Sequence, residues 1–180
     1  MSALKIAIAL AWIPFWIYWL IAATTANESR RGRRFRPICG VTALAIIVIV
    51  RVLRVGALTV HSPVLGAIGA LLFVSGLALA ISARVHLGRN WGMPMTERVE
   101  PELVTSGPYH LIRHPIYTGL LLAVIGTALA TNLLGLIVAA ALCGVFLYSA
   151  TVEERTMTAA FPTAYPAYRE STKMLIPFIL

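Results

Sequence analysis

The chain has 180 residues, of which 59% are hydrophobic and only 12% are charged, and its mean hydropathy is +0.83. Soluble domains carry about 25% charged residues, so this composition excludes an ordinary soluble domain, and the long apolar runs exclude a disordered chain. Fifteen Lys and Arg residues stand against seven Glu and no Asp, a net charge of +8, which in so apolar a chain indicates membrane orientation rather than nucleic-acid binding.

Three apolar runs come first, each of a length that can cross a bilayer core, which takes about 20 residues. They cover residues 3–25, 37–53 and 64–83. An Arg-rich stretch at 30–36 follows the first run and favours a retained span over a cleaved signal peptide. Pro14 predicts a kink in the first helix, and Gly66 with Ala70 form a small-xxx-small pair typical of helix packing.

The last apolar block, residues 116–150, is too long for one span and slightly short for two full ones. Its segment 126–135, with glycines and polar residues, predicts the bend of a tight helical hairpin. The fold class is therefore all-α, with five membrane spans. Because successive loops of a five-span chain alternate between the two sides of the membrane, three polar segments fall on the same side: 27–36, 84–114 and 151–180. They hold five, four and three of the fifteen basic residues, respectively. The positive-inside rule makes that side cytoplasmic and puts the N-terminus outside.

The chain thus divides into an N-terminal three-span region, residues 1–83, and a C-terminal region, residues 84–180, which holds most polar residues suited to chemistry. These residues lie in the loop before the fourth span and at the start of the tail, at Glu153 and Glu154. Both places adjoin the same end of the predicted hairpin, so we expect them to meet in space. Ionisable groups at membrane depth are costly and indicate functional sites by default.

The end of the loop predicts a ligand site at a helix N-terminus. Gly107-Pro108 indicates a turn, and Pro115 fits the first turn of a helix, where its missing N–H costs nothing. Arg113 and His114 would then lie beside exposed N–H groups and the positive end of the helix dipole, a place that suits a carboxylate or another anion. Tyr117 lies about one turn further and would face the same cavity.

Simpler roles stay open for the same residues. Arg113 suits a membrane-orienting anchor and His114 a helix cap. Tyr109 and Tyr117 suit the membrane interface, where tyrosine is common. Glu153 and Glu154 suit salt bridges to basic loop residues, and for Glu154 that role is the favoured one. The two cysteines and four histidines show no spacing that fits a zinc site, and no metal is expected.

The order of these motifs is more specific than its parts. It comprises Leu-Val-x-x-Gly-Pro-Tyr at 103–109, Arg-His-Pro-x-Tyr-x-Gly at 113–119, an apolar hairpin, Glu-Glu at 153–154 and Phe-x-x-x-Tyr-x-x-Tyr at 161–168. This order resembles the isoprenylcysteine carboxyl methyltransferase family and its bacterial phospholipid-methyltransferase-like relatives. The stretch Leu-Gly-Arg-Asn-Trp at 87–91 is similar to the bacterial members. The resemblance covers about residues 80–180.

The resemblance implies an integral membrane enzyme of the bacterial cytoplasmic membrane that uses S-adenosylmethionine to methylate a lipophilic or lipid-tailed acceptor. Carried over by position, the cofactor-binding residues are Pro101, Glu102, Leu103, Val104, Tyr109, His114, Pro115, Ile116, Tyr117 and Glu153. Glu153 would bind the amino or ribose end of the cofactor, and His114 the methionine carboxylate. Arg113 would bind an anionic head group of the substrate, so Arg113 and Glu153 are the predicted catalytic residues.

Two positions depart from the family pattern. Eukaryotic members place a substrate-contacting Arg four residues before the cofactor Glu, and this chain has Ser149 there. Phe161-Pro162 replaces the family's Phe-Gly. The first departure argues against a prenylcysteine carboxylate as the acceptor.

Other functions remain as alternatives. A phospholipid N-methyltransferase and a small-thiol S-methyltransferase would use the same cofactor. A membrane sterol-type reductase would use NADPH, but the chain has no Gly-rich phosphate loop. A non-catalytic membrane binding protein would bind neither cofactor.

Overall fold

The computed structural model describes residues 3–24, 58–88 and 102–177. Within these ranges the chain is helical and forms no strand, which confirms the all-α prediction for this part of the protein. The α-helices are α1 (Ala3–Thr24), α2 (Pro63–Leu87), α3 (Pro115–Thr131), α4 (Gly135–Ala160) and α5 (Ala164–Ser171), and a short 3₁₀ helix covers Gly107–His110. The predicted second span at 37–53 lies outside the described residues.

Three of these helices are long and apolar enough to cross a membrane: α1, α2 and α4. The fourth apolar helix, α3, has 17 residues, so it is about 26 Å long against a bilayer core of about 30 Å. Outward-facing leucines, isoleucines and valines of α1 and α2 are largely exposed, as expected of side chains that contact lipid. The chain is therefore an integral membrane protein, while the five-span arrangement stays a prediction.

Glycines bring α2 and α3 into backbone contact. A Cβ added at Gly69 would lie 2.5 Å from the backbone N of Ala130, and one added at Gly76 would lie 2.5 Å from that of Ala123. Gly126 and the facing backbone of α2 are equally close. Small residues allow such close approach in membranes, where dispersion contacts replace the hydrophobic effect between helices.

The first six buried positions of α2 recur at alternating steps of three and four residues, which is the spacing of one helix face, and Arg84 directly follows the last of them. The buried positions are Gly66, Gly69, Phe73, Gly76, Ala80, Ala83 and Arg84. Gly66 lies closest to the side chain of Leu4 in α1, and Ala70 is only half-buried. The predicted Gly66–Ala70 pair is therefore not the contact that joins α2 to α3.

The bend of the hairpin lies within the predicted segment, at its C-terminal end. The segment 126–135 was the predicted bend, but α3 continues through Thr131 and only 132–134 separate it from α4. The hydroxyl of Thr127 donates to the carbonyl of Ala123 at 2.8 Å, and that of Thr131 does the same one turn later. Threonines bonded in this way are compatible with a helix, so the polar residues belong to it.

Backbone hydrogen bonds close the bend. The side-chain oxygen of Asn132 accepts from the N–H of Leu134 at 2.9 Å, and Asn132 is fully buried. The segment before α2 pairs with the bend, since Val60 N–H donates to Thr131 O and Leu133 N–H donates to Leu58 O, both at 3.1 Å. Backbone polar groups inside a bilayer must be satisfied within the protein, and these pairs do so.

Helix α1 packs on the α2–α3 pair through aromatic side chains. The indole N–H of Trp12 donates to the Thr127 hydroxyl at 3.2 Å, and the rings of Trp12 and Phe73 meet edge to face at 5.5 Å. Pro14 lies inside α1, which is a single helix from Ala3 to Thr24.

The C-terminal part of the chain returns to the start of α3. Helix α4 continues to Ala160, beyond the apolar block, and α5 follows after a short turn. The residues after α5 run beside 112–114, where Arg113 N–H donates to Lys173 O at 2.8 Å and His114 N–H donates to Met174 O at 3.0 Å. This arrangement brings the loop, the end of α4 and the C-terminal segment together at one end of the hairpin.

Candidate functional site

The turn before α3 is built around one glycine in a left-handed conformation. Gly107 has φ +60°, and the imidazole of His86 occupies the space that a Cβ would need. The predicted turn at Gly107-Pro108 is therefore confirmed as the start of a 3₁₀ helix. This helix buries Tyr109, whose carbonyl accepts a hydrogen bond from the hydroxyl of Tyr168 at 2.5 Å.

Helix α3 begins at Pro115, as the sequence predicts, and His114 occupies the capping position. His114 therefore caps the helix through its backbone, since its carbonyl accepts from Thr118 N–H at 3.1 Å, while its side chain makes no capping hydrogen bond. Its Nδ1 instead lies 3.6 Å from Glu153 Oε2, and its Nε2 lies 3.4 Å from Glu154 Oε1. The imidazole therefore lies between two carboxylates that helix α4 supplies.

Tyr117 joins α3 to the first of these carboxylates. Its hydroxyl donates to Glu153 Oε1 at 2.5 Å. Its ring is nearly parallel to those of His114 and Phe146, with centroids 5.5 Å and 4.7 Å away and interplanar angles of 7° in both cases. Three stacked rings thus line the junction of α3 and α4 and fix the direction of the phenol hydroxyl.

Arg113 binds the second carboxylate. Its Nε donates to Glu154 Oε1 at 2.7 Å, and the side chains of Arg113 and Glu154 are only 7% and 6% exposed. Arg169 approaches the other oxygen of Glu154 at 3.6 Å from a 61% exposed position. The salt bridge considered for Glu154 is therefore confirmed, and its main partner is Arg113.

The two adjacent glutamates differ in environment. Glu154 is buried against two guanidinium groups, whereas Glu153 is 27% exposed and accepts a hydrogen bond from a neutral phenol. A partly exposed carboxylate can accept charge-assisted hydrogen bonds from a cationic ligand. Of the two, Glu153 is the one whose environment suits that role. We call Arg113, His114, Tyr117, Glu153 and Glu154 the polar cluster.

Two buried polar atoms near this junction make no hydrogen bond within the described part of the chain: His114 Nε2 and Ser149 Oγ. Other hydroxyls of α4 donate to backbone carbonyls of the preceding turn, at 2.7–3.2 Å, namely those of Thr151, Thr156 and Thr158. Ser149 is the exception and is only 1% exposed. Buried polar groups are normally satisfied. His114 Nε2 faces Glu154 Oε1 at 3.4 Å, so Ser149 Oγ is the atom better suited to a bound ligand.

The tyrosines of α5 are held in the protonated form. Burial raises the pKa of Tyr165, and burial also raises the pKa of Tyr168 to about 12. Both phenols therefore act as neutral groups at physiological pH, and Tyr168 serves as a hydrogen-bond donor to the turn before α3.

The remaining predicted site residues surround the cluster or lie apart from it. Pro115 is fully buried and Ile116 packs against the apolar core of the hairpin. Leu103 and Val104 are half-buried in the segment that leads to the 3₁₀ helix, and Glu102 is exposed. Pro101 lies outside the described residues. The structure thus brings His114, Tyr117 and Glu153 together, and the place of the earlier residues in a pocket stays a prediction.

Sequence reasoning missed Phe146 and the backbone of the C-terminal segment. Phe146 lies seven residues, about two helical turns, before Glu153, so helical spacing places both on one face. That signal was present in the sequence. The C-terminal segment contributes backbone oxygens, which leave no signal in residue identity.

Within the residues that the structure describes, no group of three His, Cys, Asp or Glu side chains is arranged to hold a metal ion.

Comparison with known proteins adds a family match. The model of the phospholipid methyltransferase family matches residues 64–164, which include the whole polar cluster. The chain is 34% identical over 119 residues to the cobalt-zinc-cadmium resistance protein CzcN of Cupriavidus metallidurans, a match covering 64% of this chain and 50% of that protein. It is 30% identical over 111 residues to the nickel-cobalt-cadmium resistance protein NccN of Alcaligenes xylosoxydans xylosoxydans, covering 60% and 50%. The chain therefore matches about half the length of these curated relatives.

Proposed function

The chain belongs to the phospholipid methyltransferase family, and we propose that it uses S-adenosylmethionine to methylate a lipid-tailed acceptor at the membrane surface. Membership of this family indicates methyltransferase activity in a membrane protein. One observation supports the cofactor most directly: Glu153, His114 and Tyr117 form a polar group at the end of an apolar hairpin. Lipid-facing helices need none of these side chains, and polar groups at such a position are functional by default.

The donor set fits this cofactor. The carboxylate of Glu153 would accept hydrogen bonds from the ammonium group of the methionine part. The N–H groups at the N-terminus of α3, with the His114 imidazole beside them, would bind its carboxylate, since a helix N-terminus favours anions. The stacked rings of Tyr117 and Phe146 would border the pocket and exclude water. When bound, the cofactor supplies a methyl group that its sulfonium has already activated.

The protein then has to position the acceptor rather than activate the methyl donor. Correct placement of two reactants can lower a barrier by about 7–11 kcal/mol. The salt bridge of Glu154 and the stack on Tyr117 restrict the side chains of the cluster, so binding needs little reorganisation. This pre-organisation is the contribution that we assign to the residues of the cluster.

The acceptor would enter from the membrane. Ser149 lies one helical turn, about 6 Å, before Glu153 along α4 and so deeper in the bilayer. Its buried, unbonded hydroxyl would contact the polar head of the acceptor, while the cofactor occupies the aqueous end. The side chains of the neighbouring α4 face are apolar or small, with Phe146 and Ala150 buried beside it. An uncharged head suits such surroundings better than an anionic one, because a buried anion needs a charged or multiply hydrogen-bonded partner.

We place this end of the hairpin on the cytoplasmic side. The basic residues nearest to it lie at the end of α2, before α3 and from the end of α4 onward: Arg84, Arg113, Arg155, Arg169 and Lys173. Their collection at one end follows the positive-inside rule.

Isothermal titration with S-adenosylhomocysteine tests the cofactor assignment. We expect His114→Ala and Glu153→Ala each to weaken binding by about tenfold or more, because each removes a partner of a charged group. Glu170→Ala, at an exposed position of α5, is the matched control and should bind as the wild type does. Unchanged affinity in both cluster variants would remove the proposal.

A thermal-shift comparison separates the competing functions. The proposal predicts stabilisation by S-adenosylmethionine and none by NADPH. The opposite pattern would favour a sterol-type reductase, and no shift with either cofactor would favour a non-catalytic binding protein.

A further inference from the structure

The side chain of Arg113 is buried and hydrogen-bonded to other parts of the protein. Sequence analysis predicts that it binds an anionic head group of the substrate, which would require an accessible guanidinium. The structure gives a side chain that is 7% exposed and has its Nε bonded to Glu154. A guanidinium has five N–H donors, and further ones are directed at the backbone of the C-terminal segment.

Two backbone carbonyls, one in α5 and one in the segment after it, accept from the same guanidinium nitrogen. One Nη of Arg113 donates to Thr172 O at 2.5 Å and to Arg169 O at 3.2 Å. The backbone of Arg113 adds a third connection, since its N–H donates to Lys173 O. One residue therefore binds helix α4, the end of α5 and the C-terminal segment.

These connections continue into the proposed cofactor site. The N–H of His114 donates to Met174 O at 3.0 Å, and the Thr118 hydroxyl donates to Leu175 O at 2.7 Å. The C-terminal segment thus fixes the backbone on both sides of the start of α3. The position of the His114 ring between the two glutamates depends on that backbone.

We propose that Arg113 is a positioning residue, and that with Glu154 and residues 172–175 it forms a clasp that holds His114 and Glu153 in their binding geometry. The inference rests on the proposed function for its ligand. It replaces the predicted head-group role with an indirect one, in which Arg113 raises cofactor affinity without contacting the cofactor.

A double-mutant cycle distinguishes the two roles. If Arg113 acts through Glu154, Arg113→Gln and Glu154→Gln should each weaken S-adenosylhomocysteine binding by about tenfold. The double variant should be no weaker than the worse single one, because coupled residues are non-additive. If Arg113 instead binds an acceptor head group, Arg113→Gln should leave this affinity unchanged. Unchanged affinity, or effects that simply add, would overturn the proposal.

Hydrogen–deuterium exchange provides a readout that does not depend on the cofactor. The amides of Arg113 and His114 donate to the C-terminal segment, so we expect both to exchange faster in Arg113→Gln. Retained protection would contradict the clasp. A wild-type protein that does not bind S-adenosylhomocysteine would remove the proposed function, and the exchange result would still decide whether the clasp exists.

Three further variants control for charge and for general loss of stability. Arg113→Lys keeps the charge but lacks the planar fork, so its affinity should lie between that of the wild type and that of Arg113→Gln. Arg155→Gln removes an exposed charge of α4 next to Glu154 in sequence, so it should bind like the wild type. Gly126→Ala disturbs the distant α2–α3 contact. It should lower the unfolding midpoint without changing exchange at Arg113, and equal deprotection there would count against the clasp.

Discussion

Helix α3 makes contacts of two kinds, one along its length and one at its N-terminus. Along its length it contacts α2 through glycines, with backbones close enough that a single methyl group would not fit at Gly69 or Gly76. At its N-terminus it contacts α4 and the C-terminal segment through ion pairs, hydrogen bonds and stacked rings. The first contact consists of closely packed backbone and small side chains. The second consists mainly of polar and aromatic side chains that can bind a ligand.

This contrast separates stability from function within one helix. Close packing against α2 determines the position of α3, and this contact has no room for an added atom. The polar contact at the N-terminus depends on the orientation and charge of its side chains, so it is more sensitive to the loss of a donor or acceptor than to a change of shape. Substitutions in the two contacts should therefore have separable effects on unfolding and on ligand binding.

The largest expected effect is on stability, at the glycine contact. We expect Gly76→Ala to destabilise the protein by about 3 kcal/mol, because its Cβ would meet the backbone N of Ala123 and the carbonyl of Gly119, and overpacking against backbone forces the helices apart. Denaturation in mixed detergent micelles measures it. Affinity for S-adenosylhomocysteine should change little in the molecules that remain folded.

The same substitution elsewhere supplies the control. Among the residues that the structure describes, no atom lies within 4 Å of a Cβ added at Gly144 in α4. Gly144→Ala should therefore be neutral or stabilise by up to about 1 kcal/mol, since alanine is the better helix former. Equal destabilisation by both variants would show that helix propensity, and not the α2–α3 contact, explains the loss.

The next effect concerns binding, at the polar end. Tyr117→Phe keeps the stack on Phe146 and removes the hydrogen bond to Glu153. Hydrogen bonds to charged groups contribute about 1.5–3 kcal/mol, so affinity for S-adenosylhomocysteine should fall about tenfold or more. Tyr148→Phe changes an exposed phenol of α4 and should leave titration curves unaltered. A loss of unfolding free energy larger than the loss of binding free energy would contradict the separation of the two contacts.

The sequence predicted the polar contact at the N-terminus of α3 much better than the glycine contact with α2. Pro115 marks a helix start by its own chemistry, and the positions of His114 and Glu153 at one end of the hairpin follow from the order of the apolar runs. The predicted bend segment begins too early because Gly126 and Thr127 are typical of turns. In the structure, Gly126 is needed for contact with α2, and Thr127 bonds back to its own helix.

The partners of Arg113 show a second limit. Glu154 was a natural candidate because opposite charges attract, and that pair is present. The carbonyls of Arg169 and Thr172 were not predictable, since every residue has a carbonyl and only the path of the chain decides which one is near. Sequence thus predicts contacts between distinctive side chains and misses those made to backbone.

Phe146 lies between the apolar core of the hairpin and the polar cluster, and its substitution sharpens the comparison. The ring packs in the apolar core of the hairpin and also stacks on Tyr117. Phe146→Leu keeps most of the apolar volume and loses the ring pair, which contributes about 0.5–1.5 kcal/mol beyond burial. We expect a modest loss of stability together with a twofold to tenfold loss of affinity. The loss of binding free energy should not exceed the contribution of the ring pair. Calorimetric titration and denaturation of one preparation measure both. A loss of stability alone would assign Phe146 to the core.

The smallest effect is a spectroscopic one at the edge of the polar end. Burial raises the pKa of Tyr168 to about 12, above the ordinary value near 10, and its hydroxyl donates to Tyr109 O. A tyrosine whose folded-state pKa is raised favours the folded state while its phenol stays protonated. That contribution is complete below pH 10 and is lost as the pH rises from 10 towards 12, because the unfolded chain ionises first.

A titration followed by tyrosinate absorbance measures this effect. Compared with the wild type, Tyr168→Phe should lack one of the phenols that ionise late. Tyr148→Phe, which removes an exposed phenol, should leave the late transition intact. If Tyr168→Phe removes an early-titrating phenol instead, then the α5 hydroxyl is open to water and the contact with the turn before α3 is not maintained in solution.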